Sequence, residues 1–335
     1  MCAECNEPLP ITMNEATYVD GVRDVLPFVD YGIADLVELT DLFGVLTSDN
    51  AADKVQMQSG SMENFLPTKK FKLSVDVNQV IKSGTLPAQD KNKVVSAMEW
   101  IYPKSYLAKN DLTMLDIIAH NNWKRPIYFC STMGPDSFFG LEKYFHLEGL
   151  TYRLLPLKRD KSDQRDPLDV THSDVMYTNV MNKFQLSSFN KTNYLDTESQ
   201  RVANLTWNIF NSLASNLAAE DKVDRAKAVM DKALSVLPLR NYSVADTAVK
   251  YRAAGNLYAL NKAGEANQLI KSATTFLSSE LNYYSSLNQE DQELNRNDIG
   301  NVLSLLDAFQ KLADANGQVG ISKEILEILG EVRGS

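Results

Sequence analysis

Cysteine is scarce in this chain, with three in 335 residues, at Cys2, Cys5 and Cys130. Cys2 and Cys5 form a CxxC, but a structural zinc site needs a second ligand pair at matching spacing, and none follows. The pair therefore reads as free thiols at a frayed terminus, with a disulfide in an oxidising compartment as the alternative. Cys130 sits in an apolar run and reads as a small buried hydrophobe. Histidine is equally rare. His120, His146 and His172 make no HExxH or other close ligand pair, and His146 with Glu148 is the nearest approach to a metal half-site. All three read as surface or packing residues. Basic charge is short as well: 34 Lys and Arg stand against 43 Asp and Glu, a net charge of -9, which argues against a nucleic-acid partner. The densest cationic stretch, LKRDKSDQR at 157–165, carries two aspartates and reads as a solvated loop. No apolar run approaches the roughly 20 residues that span a bilayer, and the first 30 residues lack the layout of a signal peptide. The chain is thus expected to be soluble by itself, which leaves room for its being a piece of a larger membrane protein. No G-x-G-x-x-G, Walker or G-x-S-x-G sequence occurs. No cofactor, metal or motif-defined catalytic residue is therefore expected.

What is present is an ordinary globular balance, 44% hydrophobic and 23% charged, in a length suited to about two domains. LVELTDLFGVL at 36–46 has helical spacing, with Asp35 and Glu38 resembling a capping box. FKLSVDV at 71–77 alternates as a half-buried strand, after which Asp76 caps a short helix ending at Gly84. VVSAMEWIY at 94–102 fits helix or strand. DLTMLDIIAHNN at 111–122 predicts a helix capped by Asn110, PIYFCST at 126–132 a buried strand, DSFFGLEKYFHLEGL at 136–150 a short helix, and TYRLLPLK at 151–158 another strand. Mixed signals of this kind predict an α+β (or α/β) domain over residues 1–165. A polar connector follows. Residues 173–335 then predict an all-α domain, in which Met176, Tyr177, Val180, Met181 and Phe184 form the first helical stripe.

The helical half repeats itself. Phe210, Leu213, Ala214, Leu217, Ala226, Met230, Ala233 and Pro238 fall at the offsets of a tetratricopeptide unit, in which small residues let two antiparallel helices approach and large ones fill the seam. Ala254, Leu257, Ala266, Ile270 and Ala273 repeat the pattern 40 residues on. A standard unit is about 34 residues, which places an insertion of about six around LRNYSVAD, 239–246. Residues 298–317 and 321–332 supply a final amphipathic pair.

The densest chemistry lies in HNNWKRPIYFCS, 120–131. Asn121 or Asn122 suits a left-handed helix end, Trp123 covers the junction, Lys124 and Arg125 favour the helix C-terminus, and Pro126 opens the strand. Read functionally, the same stretch is the rim of a ligand cleft, with Trp123, Arg125, Asp136 and His146 as candidate binding residues.

NNWKRPIYF, GLEKYFHLEGLTYRLLPLK, QMQSGSMENFLPTKKFKLSVD and VMYTNVMNKF also carry a resemblance. They resemble the C-terminal soluble region of a family of large Bacteroidetes membrane proteins whose N-terminal multi-pass part is similar to protein O-mannosyltransferases. That resemblance spans roughly residues 8 to 290. It implies the soluble region of an inner-membrane protein, facing the periplasm and often ending in tetratricopeptide-like helices. The catalytic carboxylate of such transferases lies in their membrane-proximal loops, so no catalytic residue is transferred here. The expected function is that of a non-catalytic accessory domain, which binds or positions an acceptor polypeptide or partner for the membrane-embedded part of its own protein. An independent sugar-binding or hydrolytic domain near Trp123 and Arg125, with a glycan as partner, is the alternative, and purely structural support is the third.

Overall fold

The computed structural model describes residues 8–13, 23–157, 166–186, 189 and 194–334, with side chains as far as residue 330. Cys2, Cys5 and most of the 157–165 loop lie outside the described residues. The chain forms two compact units, Met1–Val170 and Thr171–Ser335.

The first unit is α+β. In chain order it contains β1 (Val25–Pro27), β2 (Val37–Glu38), α1 (Leu39–Leu46), β3 (Val55–Gln56), β4 (Met62–Glu63), β5 (Lys70–Ser74), α2 (Val77–Lys82), β6 (Ala97–Ile101), β7 (Tyr106–Ala108), α3 (Lys109–His120), β8 (Tyr128–Cys130), β9 (Phe145–Leu147) and β10 (Thr151–Leu154). β5 is the centre of one sheet, parallel to β2 and antiparallel to β6. β10 is the centre of another, antiparallel to β8 and β9, while β1–β7 and β3–β4 form two-stranded ribbons. Alternation decides each strand. Phe71 and Leu73 of β5 and Met98 and Trp100 of β6 enter the core while Ser74, Glu99 and Ile101 face out. The ambiguous 94–102 stretch is therefore a strand.

Several local expectations are corrected. Residues 136–150 are no helix: two 3-10 turns, Pro135–Ser137 and Glu142–Tyr144, lead into β9. Phe139 and Gly140 stand at φ 60° and 83°, which a helix does not accommodate. The aromatics of this stretch fill the core instead. Phe129 and Phe145 ring centres are 4.7 Å apart, Phe138 meets Phe145 edge to face at 5.3 Å, and Tyr152 stacks on Phe145 at 5.6 Å. Burial pushes the Tyr152 phenol up to about 12, with the charge of Asp169 adding to it. The expected buried strand at 126–132 is only β8, an edge strand with Phe129 alone buried, so Cys130 is exposed rather than buried. Helix α3 starts at Lys109 after extended Ala108, and Asn110 is not its cap. Helix α1 starts at Leu39, after Val37 and Glu38 have paired with β5; Asp35 and Glu38 form no capping box. The Asp76 cap is present, its carboxylate accepting from the Asn78 and Gln79 amides, and Gly84 follows α2 at φ 72°.

The second unit is all-helical among the described residues. α4 (Ser173–Thr178) runs into a π-turn at Asn179–Lys183, and Met176 and Val180 are its buried stripe. α5 (Thr197–Ala219) and α6 (Val223–Val236), then α7 (Val244–Ala259) and α8 (Ala263–Ser285), pack as hairpins. Short α9 (Gln289–Leu294) precedes the α10 (Arg296–Ala315) and α11 (Val319–Gly334) hairpin. One turn design closes all three. The amides of Lys222, Lys262 and Gln318 each donate to the carbonyl five residues back, Leu217, Leu257 and Ala313, at 2.9 Å. The residue before each is left-handed: Asp221 at φ 59°, Asn261 at 60° and Gly317 at 70°. This double-bonded helix end satisfies the orphan carbonyls and reverses the chain in a fixed direction. The repeat positions noted in the sequence, from Phe210 to Ala233 and from Ala254 to Ala273, are fully buried in the seams. No helix of the described residues is long and apolar enough to cross a membrane.

The 239–246 stretch leading from the first hairpin into α7 is organised by two buried charges. Lys250 of α7 donates to the carbonyls of Leu239 (2.8 Å) and Arg240 (2.8 Å) and to Asn241 Oδ1 (2.6 Å). Asp246 accepts from the Tyr242 and Ser243 amides at 2.6 and 2.9 Å and from Asn204 at 2.6 Å. Asn241 in turn donates to the Ser272 carbonyl of α8.

Candidate functional site

The helix end that carries HNNW closes one wall of a cleft of about 450 Å³ in the first unit. Its other walls come from the ends of β2 and β5 and from the first turn of α1. β2 and β5 are parallel, so the cleft opens beyond their carboxyl ends, where the backbone leaves the sheet and side chains from several elements converge. Glu38, Thr40, Ser74, His120 and Asn122 supply its polar groups; Leu73, Ile118 and Trp123 supply its apolar floor.

Each polar group is positioned by its neighbours. The Ser74 amide donates to Glu38 Oε1 at 2.7 Å and the Ser74 hydroxyl to Oε2 at 2.8 Å. Glu38 also sits at the N-terminus of α1, where a negative charge is favoured. Among the described residues no cation pairs with it. His120 is held by Asp116, one helical turn earlier: Nδ1 lies 2.7 Å from Asp116 Oδ1 and 3.1 Å from the Asp116 carbonyl. Both neighbours are acceptors, so Nδ1 donates to Asp116, and Nε2 is the ring nitrogen that Asp116 does not engage. Asp116 is completely buried and accepts three further bonds, from the Thr12 amide and hydroxyl at 2.9 Å and the Met13 amide at 3.3 Å. The imidazole packs edge to face on Phe43 at 5.4 Å.

The turn after α3 is built by Asn121. That residue stays right-handed, and its side chain bridges the loop, donating Nδ2 to the Arg125 carbonyl at 2.7 Å and accepting the Arg125 amide at 3.3 Å. Asn122 and Trp123 both take left-handed backbone, φ 44° and 56°. For a tryptophan that costs roughly 1–2 kcal/mol. The Asn121 bridge and the Thr85 hydroxyl, which donates to the Trp123 carbonyl at 3.3 Å, offset it. Asn121→Ala is therefore expected to lower the stability of the first unit by about 2 kcal/mol, since two partially buried backbone groups lose their partner. Urea unfolding followed by tryptophan fluorescence measures this; a change below about 0.5 kcal/mol would contradict the assigned role of the bridge.

Of the four residues singled out in the sequence, Trp123 lines the cleft, while Arg125, Asp136 and His146 do not. Arg125 donates to the Pro8 carbonyl. Asp136 is exposed in a 3-10 turn, and His146 lies on β9 opposite Arg153 of β10. Arg153 pairs with buried Glu148 at 3.4 Å, and Glu148 also accepts from the Tyr128 hydroxyl at 3.1 Å. Burial raises that phenol above its ordinary value, and the Glu148 charge raises it further. Exposed Cys130 shares a 3.0 Å hydrogen bond with Thr132, which holds its thiol below the ordinary value. Glu38, Ser74 and the Asp116–His120 pair escaped the sequence reading. Asp116 and His120 share one helix face at i, i+4, a legible signal; the approach of Glu38 to Ser74 depends on the β2–β5 pairing and is not. No group of three or more metal-ligating side chains occurs among the described residues.

No curated protein matches the chain, and no solved structure matches it. A family model described as TMEM260-associated domain 2 matches residues 2–175, just over half of the chain and the whole span of the first unit, cleft included. The chain therefore belongs to the TMEM260-associated domain 2 family.

Proposed function

We propose that this chain is a non-catalytic accessory domain of a glycosyltransferase-like membrane protein of the O-mannosyltransferase type. In this reading it works on the periplasmic side of a bacterial inner membrane and binds or positions an acceptor polypeptide or partner. The observation that carries the reading is the family match over the first unit, to a domain described by its association rather than by a reaction. The helical unit supports it: three hairpins closed by one turn design, with buried small-residue seams, form a packing scaffold suited to holding a partner. Expression of the membrane-embedded part with and without these residues tests it. Mass spectrometry of acceptor proteins is expected to show lost or misplaced glycosylation without them, restored when they are supplied. Unchanged modification would remove the accessory role.

A second reading, an activity of its own, is favoured by one observation. His120, backed by buried Asp116, and Glu38 line the same cleft, and an imidazole oriented by a buried carboxylate is the usual form of a general base.

A further inference from the structure

The cleft has a ligand chemistry that neither the family match nor the accessory reading assigns. No lysine or arginine lines it, and the one carboxylate in its lining, Glu38, has no cationic partner among the described residues. A phosphate, a carboxylate or any other anion would therefore meet uncompensated negative charge in a half-buried setting. A simple cation fits no better. An ammonium offers donors only and leaves the donor half of the Asn122 amide unused, and a metal ion finds no group of three or more ligating side chains among the described residues. What matches is a group that both donates and accepts at several points in one plane: a row of hydroxyls. Glu38 accepts, the Asn122 amide and the Thr40 hydroxyl do both, and His120 contributes Nε2, the ring nitrogen that Asp116 does not engage. Beneath them Leu73, Ile118 and Trp123 form a dry floor for the C–H face of a ring. The space suits one or two rings.

From this geometry we infer that the cleft binds the neutral pyranose ring of a saccharide, with adjacent hydroxyls on Glu38 and His120 and the ring's C–H face on the Trp123 side. Glu38 is preorganised by two bonds from Ser74 and His120 by Asp116, so the ligand orders few side chains on entry. This goes beyond the accessory reading and stands whether or not the domain positions a polypeptide.

The test uses the full 335-residue chain, labelled with nitrogen-15, with the Trp123 indole and His120 ring resonances assigned. It is titrated with neutral methyl hexopyranosides of differing stereochemistry, with a methyl hexuronide and with butylammonium. At least one neutral hexoside is expected to give saturable shifts at both residues with a Kd on the order of 1 mM, as befits a ligand of about a dozen heavy atoms. The matching hexuronide should bind at least about tenfold more weakly, because its carboxylate meets Glu38. Glu38→Gln keeps the side-chain shape and the bond from the Ser74 amide, and is expected to weaken hexoside binding about tenfold through loss of a charge-assisted acceptor. Thr40→Val, a second variant on a residue outside the Ser74–Glu38 contact, should weaken it as well. A methyl hexoside and the same sugar on a glycopeptide separate a free saccharide from a glycan on protein, since only the latter perturbs residues beyond the cleft. The proposal is overturned by absence of saturable shifts at both residues up to ~100 mM of every neutral hexoside. Tighter binding of the hexuronide or butylammonium, or hexoside affinity unaltered in both variants, overturns it equally.

Discussion

Gly140→Ala is expected to cost the first unit about 4 kcal/mol or more, enough to leave much of it unfolded under ordinary conditions. A Cβ built on Gly140 would lie 2.3 Å from the Ile101 carbonyl oxygen, a backbone atom at the end of β6 that has no free rotation with which to yield. The position is also left-handed, at φ 83°, which adds roughly 1–2 kcal/mol for any L side chain. Relief requires moving either β6 or the turn that carries Phe138 and Phe139, and both of those rings are buried among the aromatics of the core. Gly134→Ala is the matched control. It lies six residues earlier with open space where its Cβ would go and no left-handed backbone, and it should be neutral within about 0.5 kcal/mol. Chemical unfolding of both variants, read by near-ultraviolet circular dichroism, measures the difference. Equal stabilities would mean that the 134–145 segment does not cross β6 as described.

Lys250→Met should destabilise the helical unit by about 3 kcal/mol at neutral pH, seen as a melting point lower by about 10 °C. Methionine fills the volume but leaves three oxygens, on Leu239, Arg240 and Asn241, without their donor. The ammonium it removes is itself costly, since burial lowers the Lys250 pKa from its ordinary 10.5 to about 8 against the opposing charge of Asp246. The unpaired oxygens outweigh that relief because all three lose the same buried donor at once. The pH dependence has a definite sign. Below pH 8 folded and unfolded chains both hold the proton. Between about pH 8 and 10.5 the unfolded lysine is still protonated while the folded one is not, so the lysine's contribution to stability rises with pH across that window. The gap between native protein and Lys250→Met should widen accordingly. A gap that narrows over the same range would show that the lysine keeps its charge when folded.

Periodicity and small-residue spacing made the helical unit legible from the chain. Every position from Phe210 to Ala233 assigned to a seam is buried in one, whereas the ordering of the 239–246 stretch by Lys250 and Asp246 is a property of the folded loop alone. The first unit was harder. The Asp76 cap and the β5 alternation rest on local chemistry and were readable. The 136–150 segment was not, because its aromatics recur at spacings that suit a helix, while the left-handed turn at Phe139 and Gly140 is imposed by contact with β6. Asn121 and Asn122 were correctly suspected of ending α3, but the left-handed tryptophan that follows is a tertiary outcome, held by Thr85. Trp123, named from the sequence as a candidate binding residue, lines the cleft. Glu38 was assigned to a cap it does not form, since its partner Ser74 is 36 residues away.

In the function proposed here this chain grips and does not react, although one cleft holds an imidazole backed by a buried carboxylate together with a second carboxylate. Turnover by the purified chain tests that most directly. It is incubated with lipid-linked sugar donors and acceptor peptides, and separately with neutral glycosides, and products are followed by mass spectrometry alongside the His120→Ala and Glu38→Gln variants. The account predicts no product above the background of either variant. Transfer or hydrolysis by the native chain that disappears in His120→Ala would make it an enzyme in its own right and contradict the account.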